Sequence, residues 1–290
     1  MYAHVIVGVD GKPGGQDASA LAPFLAAAGA SISLVHVSTT GLDAGVEAEF
    51  ADEDVLAAAL AQELDLCGGD AQLERVPALS VAAGVEQVAE QRDADLIIVG
   101  ATHRHGLARV LSHDHVASVI HHTPCAVAVA PAGFAQSPRV LARIGVAYDG
   151  SPESEVAVAH ASLLAAQRHS DLVLRHVVEP HVYPSGWGMV AVPLDDPAIE
   201  LQAARERFGN PDGLPLEHVC GNPRDVLLDF SRNVDLLVCG SRRNSAVKRV
   251  ALGSTSEHLA RHIQVPLLIA PAVDSLAVEQ WHAQRQITTA

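Results

Sequence analysis

The sequence repeats itself, and this repeat limits the possible folds more than any other feature. Four short apolar segments of the first half recur in the same order in the second half, about 140 residues later. They are Val5–Gly11 with Ile144–Gly150, Leu34–Val37 with Leu174–Val177, Ala94–Gly100 with Val234–Gly240, and Ala128–Pro131 with Leu268–Pro271. Because chance does not keep register over four separate blocks, we interpret the chain as two tandem copies of one domain. We place them at residues 1–135 and 139–273, with a linker over Gly133–Pro138 and a C-terminal tail at 274–290.

Each copy alternates apolar runs of strand length with helical patterns. In the first copy we predict strands at Val5–Val9, Ser31–Val37, Leu73–Val76, Leu96–Val99 and Ala126–Ala130. We predict helices at Asp17–Ala28 (stopped by Gly29), Asp52–Leu64, Ser80–Gln91 and around Val116–His121. This alternation predicts a doubly wound α/β fold in each copy, with a five-stranded parallel sheet covered by helices on both faces. We take the strand order to be 3-2-1-4-5, one of the orders of doubly wound sheets. The Pro- and Gly-rich stretch His181–Pro197 departs from the pattern, and Ser275–Gln286 is expected to form a terminal helix.

Composition narrows the classes of function. Hydrophobic residues make up 49%, which is enough to bury a core in each copy. Acidic residues outnumber basic ones 34 to 19, and the net charge of −15 argues against a partner such as nucleic acid or an anionic membrane. The four cysteines form no C-x-x-C pair, which argues against structural zinc or a disulfide framework. With no basic leader and no apolar run near the ~18 residues of a membrane span, we expect a cytoplasmic protein.

The end of the predicted sheet is where a ligand is expected to bind. Doubly wound sheets bind ligands at the carboxyl ends of their strands, where the strand order reverses. In the second copy this point lies between the strand that leads to Asp149 and the strand that ends at Gly240. A carboxylate there can accept hydrogen bonds from ribose hydroxyls or an adenine amine, and a glycine lets backbone amides approach a phosphate. Further on, Gly253–Ser256 directly precedes a helix, whose first N–H groups suit an anion.

At these residues the chain resembles the universal stress protein (UspA-like) family in its tandem form. ATP-binding members of that family carry a glycine, two residues, a second glycine, nine residues, and then glycine with serine or threonine. Gly240, Gly253 and Ser254 stand at three of these positions, and Arg243 stands where the second glycine belongs. The resemblance covers about residues 3–272. It implies a Rossmann-like fold of the adenine nucleotide alpha hydrolase-like type and a regulatory role in stress response.

The resemblance also implies the residues of a nucleotide site in the second copy. Val177 and Asp149 would meet the adenine and ribose, with Ala147 and Cys239 on the adenine side. The phosphates would meet the residues Gly240, Arg242, Arg243, Gly253, Ser254, Thr255 and Ser256, with Lys248 and Arg249 adding positive charge nearby. ATP is the expected ligand, AMP and ADP are alternatives, and a magnesium ion is expected only together with ATP.

The first copy departs further from the motif. His103 replaces the second glycine, and His113-Asp114 stands where the second copy has Gly253-Ser254. A negative Asp114 at a helix start would repel a phosphate and occupy the free amides itself. We therefore expect a weaker or degenerate site in the first copy, formed by Asp10, Val37 and Gly100.

Several residues leave two interpretations open. The six histidines between His103 and His122 form either a metal site or a histidine-rich surface, and their spacing matches no standard zinc pattern. His36 and His176 end matching strands and are either packed or catalytic. Ser254 is either a helix cap that also contacts phosphate or a nucleophile, and Trp187 lies either in a lid or in a surface loop.

Three hypotheses for the function follow. The leading one is a regulatory protein that binds ATP as a ligand; we assign no catalytic residues because no Walker lysine motif or paired catalytic carboxylates occur. The second is a nucleotide-free scaffold that works through dimer surfaces. The family resemblance implies association through the fifth-strand edges, Ala126–Ala130 and Leu267–Ala270, as a pseudo-dimer within the chain or as a homodimer. The third is a slow ATPase.

Overall fold

The computed structural model consists of one large sheet with helices on both of its faces. It describes residues 2–39, 53–68, 70–101, 123, 125–137, 140–179, 182–185, 188–191, 197–208, 213–241 and 253–288. The strands of the first half are β1 Tyr2–Val9, β2 Ala26–Thr39, β3 Gln72–Ala78, β4 Leu96–Gly100 and β5 Ala126–Ala130. Those of the second half are β6 Arg143–Ala147, β7 Asp171–Val178, β8 Val182–Ser185, β9 Gly188–Ala191, β10 Leu216–Cys220, β11 Leu236–Gly240 and β12 Leu267–Ala270. The helices are α1 Pro13–Leu25, α2 Glu53–Cys67, α3 Val81–Gln91, α4 Pro152–Arg168, α5 Pro197–Phe208, α6 Pro223–Ser231, α7 Ser254–His262 and α8 Ser275–Thr288.

The strand order confirms the predicted topology. The large sheet runs β10-β7-β6-β11-β12-β5-β4-β1-β2-β3, so each half has the order 3-2-1-4-5 with parallel pairing. The two halves meet at β5 and β12, which pair antiparallel with Ile269 opposite Val127. The two fifth-strand edges are therefore bonded to each other within the chain, as in the pseudo-dimer alternative. A homodimer would need another surface, because these backbone groups already have partners.

The core forms because the central strands are apolar on both sides. Leu96, Ile97 and Ile98 of β4 have no exposed surface, and the same holds for β11 from Leu236 to Val238. Burying one such side chain contributes about 1.5–3 kcal/mol. One face of the sheet packs against α1, α2, α4 and α8, and the other against α3, α6 and α7. Both of these cores contain residues of both halves, so the halves share their hydrophobic interior on each face of the sheet.

Polar contacts also join the two halves. The hydroxyl of Tyr2 in β1 lies 2.7 Å from Nδ1 of His160 in α4, whose Nε2 lies 3.0 Å from Oδ2 of Asp274. At the end of α4, the Arg168 guanidinium donates to the carbonyl oxygens of Pro23 and Ala26, at 2.6 and 2.8 Å. These carbonyls lie at the C-terminal end of α1, where the last C=O groups of a helix have no intrahelical N–H donors. A side chain of the second half thus caps a helix of the first.

The first helix differs from its predicted bounds. It was expected at Asp17–Ala28, but α1 begins at Pro13, whose fixed φ suits the first position of a helix. It ends at Leu25 because Ala26 takes the extended conformation and starts β2, in which Gly29 has a φ of +75°. Asp17 therefore lies inside the helix, where it is buried and accepts hydrogen bonds from the backbone N–H groups after β5.

Two other regions bear on the sequence interpretation. The Pro- and Gly-rich stretch of the second half contains a hairpin, β8 paired antiparallel with β9, which periodicity did not predict. The tail forms the expected terminal helix α8, with Trp281 buried in the shared core. Among the described helices, none combines the length and the apolar character needed to cross a membrane.

Candidate functional site

The topology brings the predicted residues of the second half to one end of the sheet. β6 pairs with β7 on one side and with β11 on the other, so the strand order reverses between β6 and β11. Three predicted adenine contacts, Ala147, Val177 and Cys239, belong to or pack against the same apolar cluster, on the face covered by α6 and α7. Ala147 and Val177 are half-buried and Cys239 is buried beside them, so β6 and β7 present a small, partly exposed apolar surface at their carboxyl ends.

Asp149 follows β6 at this end of the sheet and is exposed. Its Oδ1 accepts hydrogen bonds from the backbone N–H of Ser151 at 3.0 Å and from the Ser151 hydroxyl at 2.5 Å. Partial burial raises the pKa of Asp149, but the hydrogen bonds from Ser151, together with the neighbouring His176, outweigh that effect and leave the pKa below its ordinary value. The residue is therefore an ionised hydrogen-bond acceptor at neutral pH.

Close packing against α4 requires a glycine at position 240, a reason that was not predicted from the sequence. A Cβ atom at this position would lie 2.5 Å from the carbonyl oxygen of Glu153, in the first turn of α4. Gly100 in the first half is confined in the same way, because a Cβ there would overlap the backbone of Gly14 in α1. The glycine that ends each fourth strand is thus required for close contact between strand and helix, whether or not a phosphate approaches it.

The start of α7 is built around Gly253 and Ser256. Gly253 is buried at the N-cap, and its N–H donates to the Ser256 hydroxyl at 2.9 Å. That hydroxyl in turn donates to the Gly253 carbonyl at 3.1 Å. The Ser256 side chain is therefore bonded inside the cap, whereas Ser254 is exposed and Thr255 half-buried. The N–H groups of the first turn have no intrahelical acceptors, so this end of α7 favours an anion.

Some predicted residues lie outside the part of the chain that the structure describes. They are Arg242, Arg243, Lys248, Arg249, Trp187 and the histidine-rich segment His103–His122. Within the described ranges, no group of three or more His, Cys, Asp or Glu side chains is placed to hold a metal ion.

Two histidines of the second half form a pair at the outer strands. Nδ1 of His176 in β7 lies 3.1 Å from Nδ1 of His218 in β10, and the rings meet edge to face. Burial, with Arg205 nearby, lowers the pKa of His218. Sequence analysis identified His176 but not its partner, because pairing of β7 with β10 is a long-range property of the sheet.

Ser241 is a second residue that sequence analysis missed. It follows β11 directly, is completely buried, and its hydroxyl has no hydrogen-bond partner among the described residues. The corresponding residue of the first half is Ala101. The only sequence signal was this exchange of alanine for serine between the two copies, immediately after an aligned glycine.

The first half places its weaker candidates differently. Asp10 is exposed and accepts a hydrogen bond from the N–H of Lys12 at 3.1 Å, which resembles the Asp149 turn. Val37 is buried beneath α3, where Gly84 leaves room for it. The apolar surface at the end of β2 is thus already covered by protein.

The turn after β1 also holds a buried carboxyl group. Glu63 of α2 is fully buried, and its Oε2 accepts a hydrogen bond from the N–H of Gly11 at 3.2 Å. Burial, and then the negative charge of Asp10, raises the pKa of Glu63 to about 8. Gly15 makes room for this side chain, since a Cβ there would overlap Oε1. In the second half, Ser154 stands at the position of Gly15 and its N–H is capped by Ser151.

Comparison with known proteins gives a consistent match along the chain. A model of the universal stress protein family matches residues 1–131 and 141–271. A universal stress protein of Mycobacterium tuberculosis is 28% identical over 293 residues, which cover 92% of this chain and 96% of the relative. A relative of the same name from Mycobacterium bovis matches equally well. The crystal structure of a universal stress protein from Archaeoglobus fulgidus covers 94% of this chain and 97% of its own, with 18% identity and a TM-score of 0.64, and so shares the fold.

Proposed function

The chain belongs to the universal stress protein family, and from this premise we propose that it is a regulatory protein of the stress response that binds an adenine nucleotide, ATP in the first place, in its second half. The observation that carries the proposal is the end of the second-half sheet, where an ionised acceptor and a small apolar surface lie at the point of strand reversal. We assign this site to the domain at 139–273.

We propose that the adenine base and the ribose bind on the side of the site formed by β6, β7 and β11. Ala147 and Val177 offer a partly exposed apolar surface, backed by the buried Cys239, on which a flat adenine ring can be buried. Asp149 carries only acceptors when ionised, so it complements the hydroxyls of ribose and the amino group of adenine. Because the Ser151 bonds hold the carboxylate in place, little side-chain freedom is lost when the ligand binds.

We propose that the phosphates of the nucleotide bind at the N-terminus of α7. Backbone N–H groups of Ser254, Thr255 and Ser256 belong to the first helical turn and favour negative charge. The Ser254 side chain is exposed and so accessible to a ligand, whereas Ser256 contributes through its backbone alone. We propose that ATP acts as a ligand that biases a conformation or a partner surface rather than as a substrate that is turned over rapidly.

Equilibrium binding tests this assignment through a matched pair of variants. Asp149→Asn keeps the size of the side chain but removes the charge, and we expect its affinity for ATP to fall about tenfold or more, the effect of losing a hydrogen bond to a charged group. Asp10→Asn changes the corresponding residue of the first half and should leave the affinity unchanged. Isothermal titration calorimetry measures both, with circular dichroism to check the fold. Equal affinities in all three proteins would contradict the proposal.

A further inference from the structure

The hydroxyl of Ser241 has no bonding partner although it is completely buried. The backbone N–H of Ser241 donates to the carbonyl of Ala270 at 3.0 Å, which continues the ladder between β11 and β12. Its side chain has no exposed surface, and its Oγ bonds to none of the described residues. Buried hydroxyls in native proteins almost always have a partner, so such an atom calls for an explanation.

The strand geometry shows which side of the sheet this hydroxyl faces. Residues two apart along an extended chain lie on the same face, so Ser241 shares the face of Cys239, which packs in one apolar cluster with Leu259 of α7. The opposite face is closed at this level, because Gly240 lies directly against the backbone of Glu153. Ser241 therefore faces the side of the crevice that α7 covers.

The first half shows that the fold does not need this hydroxyl. Ala101 stands at the corresponding position, and its N–H donates to the Ala130 carbonyl at 2.8 Å in the same way. Ala101 also packs against the same apolar cluster, which contains residues of both halves. At this position the two halves have the same backbone hydrogen bond and differ only in the side-chain oxygen of serine. That oxygen occurs in the second half, where Gly253 caps α7.

We propose that the Ser241 hydroxyl donates a hydrogen bond to a phosphate oxygen of the nucleotide bound in the second half. This inference rests on the proposed function and assigns a role to a residue outside the family motif. Phosphate oxygens only accept hydrogen bonds, so they require donors such as the Ser241 hydroxyl and the first amides of α7. The nucleoside's own donors are served by the acceptor Asp149. The site thereby separates donors for the phosphates from an acceptor for the base and sugar.

The test compares ATP with adenosine in Ser241→Ala. We expect the Kd for ATP to rise about tenfold, as for the loss of a hydrogen bond to a charged group, and the Kd for adenosine to stay unchanged. Without nucleotide, the melting temperature of the variant should not fall, because the hydroxyl stabilises nothing in the free protein. Ser19→Ala is the matched control, since Ser19 in α1 is also fully buried with an unpartnered hydroxyl among the described residues. Its affinity for ATP should equal that of the wild type.

Each contrary outcome has a distinct meaning. Wild-type protein that binds ATP, with Ser241→Ala binding it equally well, would overturn the inference and leave the proposed function standing. Equal losses for ATP and adenosine would place the contact on the nucleoside and overturn the phosphate assignment. A lower melting temperature of the free variant would make the role structural. Wild-type protein that fails to bind ATP would overturn the proposed function, and this inference with it.

Discussion

At the scale of single residues, the two halves differ in how they fill the turn after their first strand. The second half closes this turn locally, through Ser151 and Ser154. The first half has Gly15 instead of Ser154 and inserts the carboxyl group of Glu63 from another helix. Burial raises the pKa of this carboxyl group to about 8, so its contribution to the stability of the protein falls as the pH rises.

Replacing Glu63 by Gln should stabilise the protein at neutral and alkaline pH. The folded-state pKa lies above the unfolded value of 4.5, so the folded state holds the proton more tightly. Wild-type stability therefore falls as the pH rises from about 4.5 to about 8, by on the order of 3–5 kcal/mol in total, and is flat above that. The gain of Glu63→Gln should disappear below about pH 4.5. Urea unfolding between pH 4 and 9 measures it.

The control for this experiment is Glu257→Gln, in an exposed i, i+4 pair with Arg261. Such pairs contribute about 0.3–0.5 kcal/mol, so its free energy of unfolding should change little with pH relative to the wild type. If Glu63→Gln behaved like this control, the buried carboxyl group would not have the raised pKa.

At the scale of elements, the tail helix α8 is tied to both halves through Asp274. Its Oδ1 accepts a hydrogen bond from the N–H of Ala277 at 2.9 Å and so caps α8. Its Oδ2 bonds to His160, whose other ring nitrogen meets the hydroxyl of Tyr2. The chain of bonds thus runs from the tail through α4 to the first strand. The hydrogen bond with His160 is the main reason why the pKa of Asp274 is lowered.

Asp274→Ala should destabilise the protein by about 2–3 kcal/mol, because it removes a helix cap and leaves a buried imidazole nitrogen without its partner. Since the folded-state pKa of Asp274 lies below the unfolded value, its stabilisation is present at neutral pH and lost as the pH falls below about 4. Urea unfolding at pH 7 measures the effect. Asp229→Ala, which removes an exposed pair with Arg232, should cost less than about 0.5 kcal/mol. Equal losses in the two variants would show that the Asp274 bonds do not hold the tail.

The helices and strands also show which parts of the fold could be predicted from the sequence. The parallel sheet of each half followed from the repeat and from strand–helix alternation, because parallel strands need helical crossovers, whereas the strand order was taken from the fold class. The start of α1 was missed because the helix was predicted to begin at Asp17, whereas Pro13 begins it and Asp17 binds the segment after β5. The positions of Glu63 and His218 could not be predicted, since each depends on packing between elements that are distant in sequence.

At the scale of the whole molecule, the duplication has produced one body with two unequal ends. The antiparallel pairing of β5 with β12 joins the two halves of the sheet, and the cores on both faces contain residues of both halves. The carboxyl ends of the sheet differ between the halves in how much apolar surface is exposed. Val37 is covered by α3, whereas Val177 is half-buried beside Ala147 and Cys239. We therefore propose one nucleotide site per chain, in the second half.

The stoichiometry of ATP binding tests this central claim most directly. Isothermal titration calorimetry of the purified full-length protein should give one ATP per chain, with an affinity that falls about tenfold in Asp149→Asn and is unchanged in Asp10→Asn. Two ATP per chain, or no heat of binding at millimolar ATP, would contradict the account.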